Sequence, residues 1–456
     1  MKKSRDMTTG APLRLLVSYA IPSCLGNIFQ LLYSMVDAGV MGKLVGAQGF
    51  AAVGSASSFT WIITSIVLGF TEGFGILFAQ RFGKKDWKGL GQTVAVAALL
   101  SAGLAVVLTG GSFLASQPVL SLMNTPADIR PFALIYLRWI FAGTPAVIAY
   151  NLVAALLRSL GNSRDAFIAM VISSLCNAAL DILFVAGFHW GIKGVAVGTV
   201  IAQCIAFLYG MRCLWSVEEL KVSFCAFGGS AATAKELLRL GVPAALRNAV
   251  INVGGLLVQR GINNYGTLFI AGNTAAQKYL EFLTVATGAL DNAFATYSAQ
   301  NYGAGKLVRI KEGLKTAGRA TWFCAVPFAV VAILFSRPLI GLLVTGAPEE
   351  QEKILLYGSQ NLIVTACFLP VLNFLCLYRS GLQGMGNSFI PMLSSFAELI
   401  PRILAVFLLP GWIGYWSIYL AFPLGWMVAC LFLGVAYHRT YRQRQMKAFF
   451  FPESGA

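Results

Sequence analysis

Ala79-Gln80-Arg81-Phe82-Gly83 and Ala299-Gln300-Asn301-Tyr302-Gly303 are one five-residue phrase written twice, about half a chain apart. Each closes a long apolar segment and opens a basic loop. Two further echoes keep the same order: Ile21-Pro22 with Asn27 against Val242-Pro243 with Asn248, and Gly161-Asn162-Ser163 against Gly386-Asn387-Ser388. Hydrophobic segments that recur in order mark a duplicated membrane bundle, the plan on which many transporters are built.

Composition agrees with a chain that lies mostly in hydrocarbon. Apolar residues make up 57% of the 456 and charged residues 11%, where a soluble protein carries about 25% charged residues. Mean hydropathy is +0.72. Twelve segments are long enough to cross a ~30 Å core at 1.5 Å per residue: 15–41, 50–80, 92–114, 131–160, 165–187, 192–215, 235–264, 270–302, 313–340, 352–384, 389–410 and 415–437. The expected fold is therefore all-α and integral to a membrane, with twelve transmembrane helices in two pseudo-symmetric six-helix lobes. The amino-terminal lobe covers 1–215 and the carboxy-terminal lobe 235–437. A cytoplasmic linker at 216–234, with Glu218-Glu219 and Gly228-Gly229-Ser230, joins them, and 438–456 form a tail. Six spans per lobe make the repeats parallel.

The net charge of +16 does not describe a nucleic-acid binder, because the cations fall in alternate loops. Lys2, Lys3, Arg5 and Arg14 precede the first span; Arg81, Lys84, Lys85 and Lys88 follow the second; Arg158 and Arg164 follow the fourth. Arg212, Lys221, Lys235 and Arg239 lie between the sixth and seventh spans. Lys306, Arg309, Lys311, Lys315 and Arg319 follow the eighth span, and Arg439, Arg442, Arg444 and Lys447 follow the twelfth. This is the positive-inside pattern, and it places both termini in the cytoplasm of a multi-pass inner-membrane protein. The basic N-terminus precedes a run too long and too polar for a removable leader, so that run is expected to be a true span. The nine cysteines form no C-x-x-C pair and read as inert thiols within spans.

The first span carries a polar stripe, Asn27, Gln30, Ser34 and Asp37, bordered by Tyr33. At 100° per residue these positions fall in about one quadrant. The seventh span repeats the pattern with Asn248, Asn252, Gly255, Gln259 and Asn263. Two related helices, each polar on one side, point to a shared wet cleft; interhelical hydrogen bonding in a dry bundle is the alternative.

Asp37 is the sharpest residue, since a carboxylate at span depth costs about 2.5–3.5 kcal/mol on insertion scales. The fifth span supplies Asp181, with Asn177 one turn earlier, and Thr199 of the sixth reaches the same level. Carboxylates sharing such a site would couple their proton uptake, and oxygen-rich surroundings also suit a small hard cation such as sodium. The plainer alternative is that one aspartate pairs with an arginine such as Arg138. Glu72 and Asp291 occupy matching places in the second and eighth spans and are candidates for the inner mouth of the cleft. Lys278 with Glu281, and Glu398 with Arg402, read as local ion pairs; Arg247 and Arg260 are expected to snorkel to opposite faces. Proline recurs at Pro22 and Pro243, and at Pro145 and Pro370, where bends are expected. No G-x-x-x-x-G-K-[ST], G-x-S-x-G or H-E-x-x-H motif is present, which argues against direct use of ATP and against an enzyme.

The proline–Asn–Gln–Tyr–Asp series of the first span, Asn177-Ala178-Ala179-Leu180-Asp181, Leu157-Arg158-Ser159-Leu160-Gly161-Asn162 and Gln300-Asn301-Tyr302-Gly303-Ala304-Gly305 resemble the multidrug and toxic compound extrusion (MATE) family, in order and across both lobes. The similarity is to its prokaryotic DinF-like branch. That resemblance implies a cation or proton site at Asp37, Asn177 and Asp181, with Asn151 and Thr199 around it. It implies no cofactor beyond a coupling proton or sodium ion, and small-molecule cargo moved across a lipid bilayer without an obligate protein partner. Other branches use carboxylates on the seventh and tenth spans, and here neither span has one beyond the entry residues Glu236 and Glu352. The resulting expectation is a secondary antiporter that exports amphipathic, cationic drugs or metabolites. A lipid-linked precursor flippase of the related superfamily and an intramembrane enzyme are the alternatives.

Overall fold

A computed structural model of the chain describes residues 4–123, 125–217, 220, 231–344 and 347–450, with side chains placed for all of these except 33–41, 43, 44, 47, 50 and 447–450. Tyr33, Ser34 and Asp37 are therefore located only as backbone of the first helix, and the acidic and glycine-rich parts of the expected linker lie outside the described residues.

Every regular element among the described residues is a helix. The first half contributes α1 (Pro12–Leu44), α2 (Gly46–Gly83), α3 (Trp87–Leu122), α4 (Arg130–Ala142), α5 (Thr144–Ser159), α6 (Ser163–Ile182) extended by a π-helical turn at Leu183–Gly187, and α7 (Ile192–Trp215). The second contributes α8 (Ala231–Asn263), α9 (Thr267–Gly303), α10 (Leu307–Leu334), the short α11 (Ser336–Leu343), α12 (Pro348–Gly384), α13 (Phe389–Phe407), the single turn α14 (Pro410–Ile413) and α15 (Trp416–Phe450). With α4 and α5 taken as one bent rod and the short α11 and α14 set aside, these are twelve rods that overlap the twelve expected spans. Ten are long and apolar enough to span by themselves, and the α4–α5 pair, bent by 47°, makes the eleventh. The twelfth, α9, is diluted by Asn273, Gln277, Lys278, Glu281 and Asp291. Large apolar side chains such as Leu114, Leu122, Phe323 and Leu342 stand open on the outside, surface that only hydrocarbon covers favourably.

The echoed phrases are turn chemistry. Gly161 and Gly386 sit at φ +76° and +80°, left-handed backbone that glycine adopts without strain. The asparagine after each caps the next helix: Asn162 accepts from the Asp165 N–H at 3.0 Å, and Asn387 from the Ile390 N–H at 3.1 Å. The longer phrase anchors an end of each half. Arg81 bonds Asp86 at 2.9 Å and Glu236 at 3.3 Å. Gln300 accepts from the Met7 N–H at 2.8 Å, and the Asn301 amide donates to the Met7 carbonyl at 3.1 Å. Arg309 then donates to Asn301 Oδ1 at 3.0 Å and to the Gly10 carbonyl at 2.8 Å.

The prolines behave differently from one another. Gly143-Thr144-Pro145 breaks the fourth rod, because proline at the start of α5 has no N–H to continue α4. A Cβ at Gly143 would lie 2.1 Å from Val200 Cγ2, so glycine lets α7 close over the break. Its counterpart Pro370 sits inside an uninterrupted α12, as Pro22 does in α1 and Pro243 in α8.

Two compact units result: residues 1–6 with 21–245, and residues 7–20 with 246–456. The first helix of each half has its opening turns, up to about the echoed proline, in the unit built mainly from the other half. Small residues make this possible in the first unit. A Cβ at Gly69 or Gly73 of α2 would lie 2.6 Å from the backbone of Ala244 or Gly241 of α8, so only glycine permits that approach. The second unit is centred on an aromatic cluster in which Phe269 stacks on Tyr419 at 5.6 Å and meets Tyr357 edge-on at 5.2 Å.

Candidate functional site

In the first unit, Asp181 stands at the last turn of α6, immediately before the π-helical turn, and is 1% exposed. A π turn inside a helix recurs at functional positions because it spoils the regular hydrogen-bond ladder. The Asn177 amide, one turn back on the same face, donates to Asp181 Oδ1 at 3.0 Å and reaches Thr199 Oγ1 of α7 at 3.5 Å. Thr199 in turn donates to the Val195 carbonyl at 3.0 Å. Three of the expected site residues thus form one connected group across two helices.

What holds α7 against this group is a pair of glycines that the sequence reading passed over. A Cβ on Gly198 would lie 2.5 Å from Asp181 Oδ1, and one on Gly194 would lie 2.9 Å from Phe184 Cβ. Gly194-x-x-x-Gly198 is the small-residue spacing that lets membrane helices touch, and it was visible in the sequence. At the end of this hairpin, Phe188 and Trp190 each stack on Phe184, while Lys193 lies 4.9 Å above the Trp139 ring.

Asn151 is buried on α5, but its amide donates to the Val147 carbonyl of its own helix at 2.8 Å and not to the trio. The alternative partner Arg138 lies 5.4 Å over the Phe113 ring. Asn27 and Gln30 are exposed on α1 and Glu72 is exposed on α2.

In the second unit, the stripe on α8 divides. Gly255 and Gln259 line a cavity of about 360 Å³ together with Asn273, Asn361 and the Lys278–Glu281 pair, whose charges meet at 3.1 Å as expected. Gln259 donates to Asn263 at 2.9 Å. The cavity wall is tied by amides and a hydroxyl: Asn361 donates to Asn273 at 2.6 Å, and Thr365 donates to Asn361 at 3.2 Å. Asn252 is half-buried, and Asn248 accepts two hydrogen bonds from Arg247. Arg247 does not snorkel: it is buried, held by its neighbour, whereas Arg260 is exposed.

Nearby, Glu398 pairs with Arg402 one turn on, as its spacing suggested, and also with Arg379 of α12 at 3.5 Å. Both members of the first pair are 3% exposed. Arg402 donates to the Ile251 carbonyl at 3.3 Å and lies 4.6 Å over Phe422. Glycines again make the space, since a Cβ at Gly254 would sit 2.6 Å from Arg402 Nη1. Asp291 accepts from Ser380 and shares the surroundings of Cys376 with Arg247, Arg379 and Glu398. A buried pair of this kind is expensive to desolvate, so its presence at span depth marks a built element of the lobe.

A duplicated helical bundle with polar groups buried in both halves has the form of a multi-pass membrane transporter. The family model MatE matches residues 22–183 and again 243–408, and the chain belongs to that family; the double match also marks the internal duplication. Among curated relatives, "Probable multidrug resistance protein YpnP" of Bacillus subtilis strain 168 is 27% identical, with 98% of this chain and 99% of that protein covered. "DNA damage-inducible protein F" of Escherichia coli K12 is 25% identical, over 93% and 91%. A solved structure of a MATE in the bent conformation superposes with a TM-score of 0.89 at 20% identity, covering 97% of this chain and 98% of its own. The fold is that of the MATE transporters.

Proposed function

We propose that the protein is a secondary antiporter that exports amphipathic, cationic drugs or metabolites in exchange for protons or sodium ions. It lies in the cytoplasmic membrane with both termini inside, as the alternation of basic loops indicates. The observation that carries this reading is the connected Asn177–Asp181–Thr199 group, which gathers a buried carboxylate, an amide and a hydroxyl across two helices. Asp37 of α1 completes the site in this reading. The names of the relatives, a probable multidrug resistance protein in Bacillus and a multidrug export protein in Staphylococcus, support drug export as the task.

An ion that enters from outside neutralises Asp37 and Asp181. With those charges gone, the first helix repacks and cargo leaves outward. Because coupling between two ligands is reciprocal, cargo bound at the same group must expel the ion. Two-state exchange on this scale needs about 1–3 kcal/mol of coupling, which the loss of one carboxylate charge in a low-dielectric setting readily supplies. In cells, Asp37→Asn should abolish drug resistance while the protein still reaches the membrane at its normal level. Efflux at the wild-type rate from that variant would sink the mechanism.

A further inference from the structure

The outer surface of the first unit has a groove that the transport reading does not use. It holds about 780 Å³ between α3, α5 and α7, and its walls are carbon almost throughout, with Val94, Ala98 and Ala102 on α3, Ile148 and Leu152 on α5, and Phe207 on α7. Leu99 and Val107 beside it and Val106 on its wall are strongly exposed, so the groove opens onto the side of the bundle that hydrocarbon covers. It is concave because α3 presents alanines where its neighbours on the exposed face are leucine and valine. From Val94 to Gly110, α3 rises about 24 Å, more than the roughly 15 Å depth of one leaflet's hydrocarbon. A lipid chain entering at the Val94 end therefore lies in the groove along its whole length.

Charge fixes what enters. Each of the three walls bears a cation at the same end. Lys88 opens α3 six residues before Val94, Arg158 closes α5 two residues after Leu156, and Arg212 on α7 follows the lining residue Met211. Lys88 and Arg212 are exposed and belong to no ion pair among the described residues. Lys84 and Lys85 add to the same corner, in the turn between α2 and α3. Cations at one end of an apolar slot match an anionic headgroup with its chain beyond.

We propose that this groove binds one anionic diacyl phospholipid of the cytoplasmic leaflet. Lys88 and Arg212 hold its phosphate and one acyl chain lies over α5. The inference uses the cytoplasmic placement of the basic loops proposed above and is independent of the ion-coupling step.

The test uses purified full-length protein in detergent. Phosphatidylglycerol and phosphatidylcholine, each with a photoactivatable group in the same acyl chain, are titrated in parallel and cross-linked residues are mapped. Labelling should concentrate on the lining residues of α3, α5 and α7, at several-fold lower concentration for phosphatidylglycerol. Lys88→Gln and Arg212→Gln should each cost about fivefold in that preference, and Ala102→Phe should block labelling in the groove by both lipids. The glutamine variants change only exposed side chains, so they keep the test decisive should Ala102→Phe fail to fold. Equal labelling of the wild type by the two lipids, labels spread evenly over the outer surface, or an unchanged preference in both glutamine variants would overturn the proposal. Drug-export assays do not enter this readout, so failure of the antiport reading leaves it standing.

Discussion

Asp181→Asn keeps the size of the side chain and removes only the charge that the site is proposed to use. Export driven by an ion gradient should fall at least tenfold, while the melting temperature in detergent stays within a few degrees of wild type, since the Asn177 contact survives with an amide oxygen as acceptor. Gly198→Ala acts differently. Its methyl would lie 2.5 Å from Asp181 Oδ1, so α7 must back away or the carboxylate must turn, at an overpacking cost of about 1–3 kcal/mol. Thermal melting together with efflux should show a loss of activity larger than the loss of stability; an unaltered transporter would mean that the α6–α7 contact is slack. At this scale much was legible. Asn177 and Asp181 stand out as polar positions one turn apart in an apolar span. Asn151 did not follow, because an asparagine in a helix has the carbonyl one turn back as a ready partner. Gly198 was legible as half of a small-residue spacing, but the atom it faces, Asp181 Oδ1, is set by the packing of α6 on α7.

Between elements, the second unit rests on Glu398 and the two arginines that flank it. Glu398→Gln leaves Arg402 buried without its counter-charge, and breaking such a pair costs about 3–5 kcal/mol. A clear drop in melting temperature is expected, partly recovered when Arg402→Met is added, because a buried pair replaced by apolar groups is often near neutral. Full stability in Glu398→Gln alone would show that water reaches the cluster. Asn387→Ala should cost about 1 kcal/mol through the lost cap on α13, measurable in the same melts. The i, i+4 spacing revealed half of the ionic cluster; Arg379 stands on another helix, where no local spacing relates it to Glu398. Of the matched prolines, Pro145, preceded by Gly143 with Val200 packed against it, interrupts its rod, whereas Pro22, Pro243 and Pro370 lie inside continuous helices.

Across the whole molecule, the twelve rods and the duplication were readable from apolar length, echoed turns and alternating charge. The unit boundaries were not, because the placement of the opening turns of α8 depends on glycine contacts such as Gly73 on Gly241, which no local pattern reports. The polar α9 shows the same limit in reverse: its composition is weak for a span, and its place in the duplication identifies it. The account as a whole stands on acids in the amino-terminal bundle whose neutralisation drives export. The most direct measurement is uptake of a fluorescent amphipathic cation into inverted membrane vesicles, with a pH gradient and a sodium gradient imposed in separate trials, for wild type, Asp37→Asn and Asp181→Asn. The account predicts rapid gradient-dependent accumulation by wild type with at least one of the two ions, and none above background by either variant. Accumulation by both variants at the wild-type rate would contradict it.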